Sequence, residues 1–82
     1  SVLTPSEQKI IYGLPILNSE ERKYYFCLTD SDQEIIDTQI RGLESKVYYI
    51  LQLIYFKISF RFFKFRFSDV TKDIRHLSEI NP

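Results

Sequence analysis

The residues with the clearest chemical potential lie in one basic, aromatic run, FRFFKFRF at positions 60–67, which follows an apolar stretch ending in Lys57. Between Glu44 and Asp69 there is no acidic residue, while Lys46, Lys57, Arg61, Lys64 and Arg66 all fall there. Cations brought to a polyanion bind it by releasing counterions, and aromatic rings add base stacking where a strand is unpaired. The same run is also what a helix end with Phe anchors and a solvated basic side would give.

Other chemistries fail on residue supply. His76 is the single histidine and Cys27 the single cysteine, so nucleophile–base arrangements and zinc sites lack members. His76 is expected as a partly exposed helical residue beside Ile74 and Leu77, and Cys27 as a small apolar residue on a helix face. Gly13 and Gly42 are too few for a phosphate loop. Asp30, Asp32 and Glu34 mimic the opening ligands of a calcium loop. The glycine required next is Ile35, however, and the twelfth position is Arg41 rather than Glu. These acids read as partners of a helix N-terminus. All the acids are expected at helix starts or on exposed faces, so no pocket for acid–base work is foreseen. Neither an enzyme, a metal nor a cofactor is expected.

Charge divides the 82 residues unevenly. Positions 1–44 hold four Lys/Arg against eight Asp/Glu, and positions 45–82 hold seven against three, for a net charge of zero. An anionic partner for the second half is one implication; the other is that the acidic half packs against the basic half. One unpaired Cys points to a reducing, cytoplasmic setting, and the polar N-terminal stretch does not read as a signal peptide. The apolar run at 47–56 is broken by Gln52 and closed by Lys57, well short of the ~20 residues a membrane span needs.

The elements that position these residues are set by caps and periodicity. Thr4-Pro5-Ser6-Glu7 is a capping box opening helix one, about 5–12, which Gly13 and Pro15 end. Asn18 to Glu21 repeats the box and opens helix two, with Tyr24, Tyr25 and Leu28 near its end. Thr29 caps helix three, given an apolar face by Ile35, Ile36 and Ile40 and stopped by Gly42. Helix four runs from about Leu43 to Ser59 or slightly beyond. Its Val47, Ile50, Leu51, Ile54 and Ile58 keep helical spacing, and other faces are apolar too, which marks a central helix. Ser68 is expected to cap helix five, striped by Val70, Ile74, Leu77 and Ile80. The alternation in 60–67 suggests a strand, but no second strand exists to pair it, so a helix end and a short extended connector are expected. The fold class is therefore all-α: a single domain, 1–82, of about five helices around a long apolar fourth helix.

The ordered set LTPSEQKIIYGLP, YYFCLTDSDQEII and VYYILQLIYFK resembles the N-terminal domain of replicative transposases of the Tn-three family, over almost the whole chain. Tyr55-Phe56-Lys57, Phe62-Phe63, Val70 and Asp73 resemble one branch of it. The chain departs from the pattern at Ser45-Lys46-Val47-Tyr48, where an Asn-Arg-Leu-Gly-like run is common, and Tyr48 should push a neighbouring helix outward. It also has Ser59-Phe60 where many members have a Pro-Gly turn.

The resemblance implies a module that helps bind the terminal inverted repeats of a transposon as double-stranded DNA, alongside the rest of the transposase chain. Strand-transfer chemistry would belong to a distant C-terminal region absent here. Lys46, Lys57, Arg61, Lys64 and Arg66 are the candidate phosphate contacts, with Lys72 and Arg75 secondary. No membrane or small-molecule partner is expected. The alternative is a scaffolding domain that docks protein through exposed Phe60, Phe63 or Phe65.

Overall fold

In the computed structural model, which describes residues 12–80, reciprocal capping opens the first two helices. The Asn18 side chain accepts the Glu21 backbone N–H while the Glu21 carboxylate accepts the Asn18 N–H, and α1 spans Ser19–Tyr25. Thr29 and Asp32 repeat the exchange at the start of α2, Asp30–Gln39. Each box satisfies two N–H groups that a helix start leaves without partners. Gly42, at φ 84°, turns the chain into α3, Leu43–Ser59, which keeps the predicted limits. A connector follows, then a 3₁₀ turn at Phe67–Asp69 and α4 at Thr71–Ile80. Among the described residues there are four α-helices and no strand. The helix expected over 5–12 lies outside them, so the long apolar helix is the third described. Gly13, at φ 79°, does make the expected turn.

Three expectations need correction. The helix ending at Tyr25 is shorter than foreseen, because Phe26 leaves helical geometry and enters the core. Cys27 therefore lies beyond the helix and is exposed, its Sγ 3.5 Å from the Lys23 carbonyl oxygen. The last helix begins at Thr71, not at a Ser68 cap. Asp69 spends its carboxylate on the Arg66 backbone N–H at 2.8 Å, closing the 3₁₀ turn first.

The core forms around α3. Leu51, Ile54 and Tyr55 are fully buried there, against Ile36 of α2, Leu77 of α4, and Leu17, Phe26, Phe63 and Phe65 from the intervening segments. Burying each such aliphatic or aromatic side chain contributes about 1.5–3 kcal/mol. The short link at Ile40–Gly42 makes α2 and α3 an antiparallel hairpin, so Asp32 near the start of one meets Lys57 near the end of the other.

Candidate nucleic-acid interface

The connector takes its shape from the end of α3. Phe60 adopts the left-handed conformation (φ 58°, ψ 31°) and its N–H closes on the Phe56 carbonyl, which ends the helix. From Phe62 to Arg66 the chain has no regular secondary structure, and its side chains alternate between exposed and buried. Phe63 and Phe65 are buried at 4% and 8% exposure, while Lys64 and Arg66 face solvent. At Phe63 the polar backbone of this segment is met by α3 instead of a second strand. Gln52 accepts the Phe63 N–H at 3.1 Å and donates to the Phe63 carbonyl, which the Tyr48 hydroxyl also approaches at 3.4 Å. Tyr48, expected to force an element outward, stacks on Phe65 at 4.5 Å between ring centres.

The seven candidate cations are distributed over several places. Lys64 and Arg66 are both exposed on the connector, two residues apart and either side of buried Phe65. Lys57 is tied to a carboxylate of the acidic half, its Nζ 3.3 Å from Asp32 Oδ2. Arg61 donates to the Tyr12 carbonyl at 3.2 Å and lies over the Phe63 ring at 4.6 Å, a cation–π contact that fixes its plane. Lys72 borders a cleft floored by Leu14 and Leu17, so Arg61 and Lys72 both flank the 12–17 segment. Lys46 borders the cleft between α2 and α4, near Asp37, and Arg75 is exposed on α4. The Thr29 backbone N–H, more than Lys57, holds the Asp32 carboxyl below its ordinary value.

One acid lies at a helix start, as expected of the acids, and is nevertheless buried. Asp73 is 6% exposed, receiving the Arg22 guanidinium at 2.8 Å and the Tyr55 hydroxyl on its other oxygen. The signal was present in the sequence: Asp73 stands three residues after Val70 and four before Leu77, on the apolar stripe itself. His76 is half-buried and meets Phe26 edge-on at 5.0 Å.

The apolar features also differ from expectation. Phe63 and Phe65 are core anchors, so they cannot form a docking patch, whereas Phe60 and Phe62 are 79% and 70% exposed. Phe62 stacks on Phe56 at 4.8 Å and forms one end of a groove of about 900 Å³ along α3, lined by Tyr48, Tyr49, Leu53 and Phe56. No helix among the described residues is long and apolar enough to cross a membrane, and no group of three His, Cys, Asp or Glu among them is placed to hold a metal.

A family model described as a domain of unknown function, DUF4158, matches residues 2–80. No curated protein and no solved structure matches the chain.

Proposed function

The chain belongs to the DUF4158 family, and on that footing we propose that it is a DNA-binding module of a cytoplasmic replicative transposase, helping to recognise the terminal inverted repeats. The ordered likeness to the N-terminal domain of Tn-three family transposases supports this reading. The observation that carries it is the outward pair Lys64 and Arg66, held on a backbone pinned by Gln52 and anchored by Phe63 and Phe65. Side chains presented from a fixed backbone lose less freedom on meeting phosphate than those on a mobile loop. In this reading the module performs no chemistry, and strand transfer lies elsewhere in the parent protein.

In this reading Lys64 and Arg66 lead, Lys46, Arg61, Lys72 and Arg75 contribute, and Lys57, paired with Asp32, serves chiefly to hold α2 against α3. With about four phosphates contacted, log affinity falls with log salt at a slope of about −3.6. The test is a gel-shift series on inverted-repeat and random duplexes at several salt concentrations. Lys64→Glu/Arg66→Glu should weaken binding far more than Lys57→Gln. Absence of any salt-dependent association by the wild-type chain would remove the proposal.

A second reading is favoured by the groove along α3. Its Tyr and Phe lining suits an apolar helix of another polypeptide, which would make the domain a scaffold without DNA contact. Under that reading Leu53→Asp would abolish partner binding, and the double charge reversal would leave it intact.

A further inference from the structure

Phe60 and Phe62 work against the stability of the isolated fold. Phe60 occupies a left-handed helix end that glycine ordinarily fills, and its ring is nevertheless given to solvent. Phe62 leaves the core pattern that Phe63 and Phe65 follow and shows most of its ring to water. Strain at Phe60 and exposure at both Phe60 and Phe62, two positions on, mark a segment shaped for something other than folding.

The two rings share a support. Phe56, on the last turns of α3, stacks with Phe62 at 4.8 Å and 21° and meets Phe60 edge-on at 6.3 Å. Lys57, Arg61 and Lys64 interleave with the rings along the chain, and no acid lies in the sequence from Ser45 to Ser68. Across the fold Asp32 pairs with Lys57, leaving Arg61 and Lys64 without a carboxylate partner among the described residues. An apolar polypeptide would find ring surface here but no use for the cations. A single-stranded nucleic acid offers both flat π-faces and phosphates, and stacking on aromatic side chains is how such strands are held.

We propose that Phe60 and Phe62, supported by Phe56, form a stacking platform for unpaired bases, with Arg61 and Lys64 meeting the flanking phosphates. This rests on the nucleic-acid reading and adds to it a preference for unpaired nucleotides at a duplex end. Stacking of one base tightens binding by about 5- to 150-fold.

Fluorescence anisotropy on the full chain tests it with three probes: a blunt duplex, the same duplex with a three-nucleotide thymidine overhang, and one with an abasic overhang of equal length. The thymidine overhang should bind at least about fivefold more tightly than the abasic one. Phe60→Leu/Phe62→Leu should abolish that difference and leave blunt-duplex affinity unchanged, and Phe62→Tyr should retain it. Equal affinity for thymidine and abasic overhangs overturns the platform, as expected if the rings meet a protein instead. So does a base-dependent gain that survives the double Leu change. If blunt duplex fails to bind while the thymidine overhang still outperforms the abasic one, the platform stands and the duplex proposal falls.

Discussion

The Tyr55 hydroxyl donates to Oδ2 of Asp73 inside the core, joining α3 to α4, and Arg22 of α1 holds the other carboxylate oxygen at 2.8 Å. Three helices are thus tied at one carboxylate. Asp73→Ala leaves the Arg22 charge half-buried and without its partner, at a cost of about 3–5 kcal/mol. Tyr55→Phe leaves one buried oxygen unsatisfied, costing about 1–3 kcal/mol. Urea unfolding of the two variants should rank them in that order. Equal midpoints for wild type and Asp73→Ala would refute the structural role given to the pair.

Tyr55 also sets an alkaline limit. Burial, and then its hydrogen bond to Asp73, push the phenol well above its ordinary value of about 10. Below pH 10 the folded and unfolded chains both keep this proton and its contribution is fully present. Above pH 10 the unfolded chain loses it first, so stability falls by about 1.4 kcal/mol per pH unit from this group. Midpoints measured from pH 9 to 11.5 should decline less steeply in Tyr55→Phe than in the wild type.

Asp32 acts at the opposite end of the scale. Hydrogen bonding from the Thr29 backbone N–H holds its carboxyl low, with the Thr29 and Lys57 side chains adding to it and burial opposing it. Its contribution is present above the ordinary value of about 3.8 and disappears as pH falls through the lower folded value. Acid titration followed by circular dichroism should show a shallower loss in Asp32→Asn. Removing the other half of the box with Thr29→Ala should cost about 1 kcal/mol.

Gln52 substitutes for a neighbouring strand, and its loss should therefore be local. Gln52→Leu leaves the Phe63 N–H without its partner and its carbonyl with only the 3.4 Å approach of the Tyr48 hydroxyl, for about 1–3 kcal/mol where water cannot reach the amide. Hydrogen exchange should quicken at the Phe63 amide before it does within α3. Uniform loss of protection would show that the amide holds the whole fold and not the connector.

Phe60→Gly should stabilise the protein. Removing the side chain relieves a left-handed residue of about 1 kcal/mol, a rise of about 4–8 °C in Tm for a domain this small. The lost edge contact with Phe56 offsets part of it. A lower Tm would mean that this contact outweighs the backbone strain.

What the sequence revealed were features decided within a few residues. The boxes at Asn18–Glu21 and Thr29–Asp32 are local, and the limits of α3 follow from Gly42 and from apolar spacing that stops at Ser59. The alternation of Phe with Lys and Arg corresponds to the alternating burial at 62–66, although it does not tell which Phe residues enter the core. The start of α4 falls later than the expected Ser68 cap, because a capping residue ahead of an apolar stripe does not reveal that the Arg66–Asp69 bond closes a 3₁₀ turn first. Partners far apart in the chain were hidden: Arg22 with Asp73, Lys57 with Asp32, and Arg61 with the Tyr12 carbonyl. Asp73 alone carried a periodic signal that it lay inside.

The clamp on Phe63 has an evolutionary corollary. Because a single amide side chain and two inward rings hold this segment, positions 64 and 66 are decoupled from the interior and can be exchanged for almost any hydrophilic residue. Descendants of this domain can thus diversify what they touch by altering two codons, without redesigning the scaffold beneath.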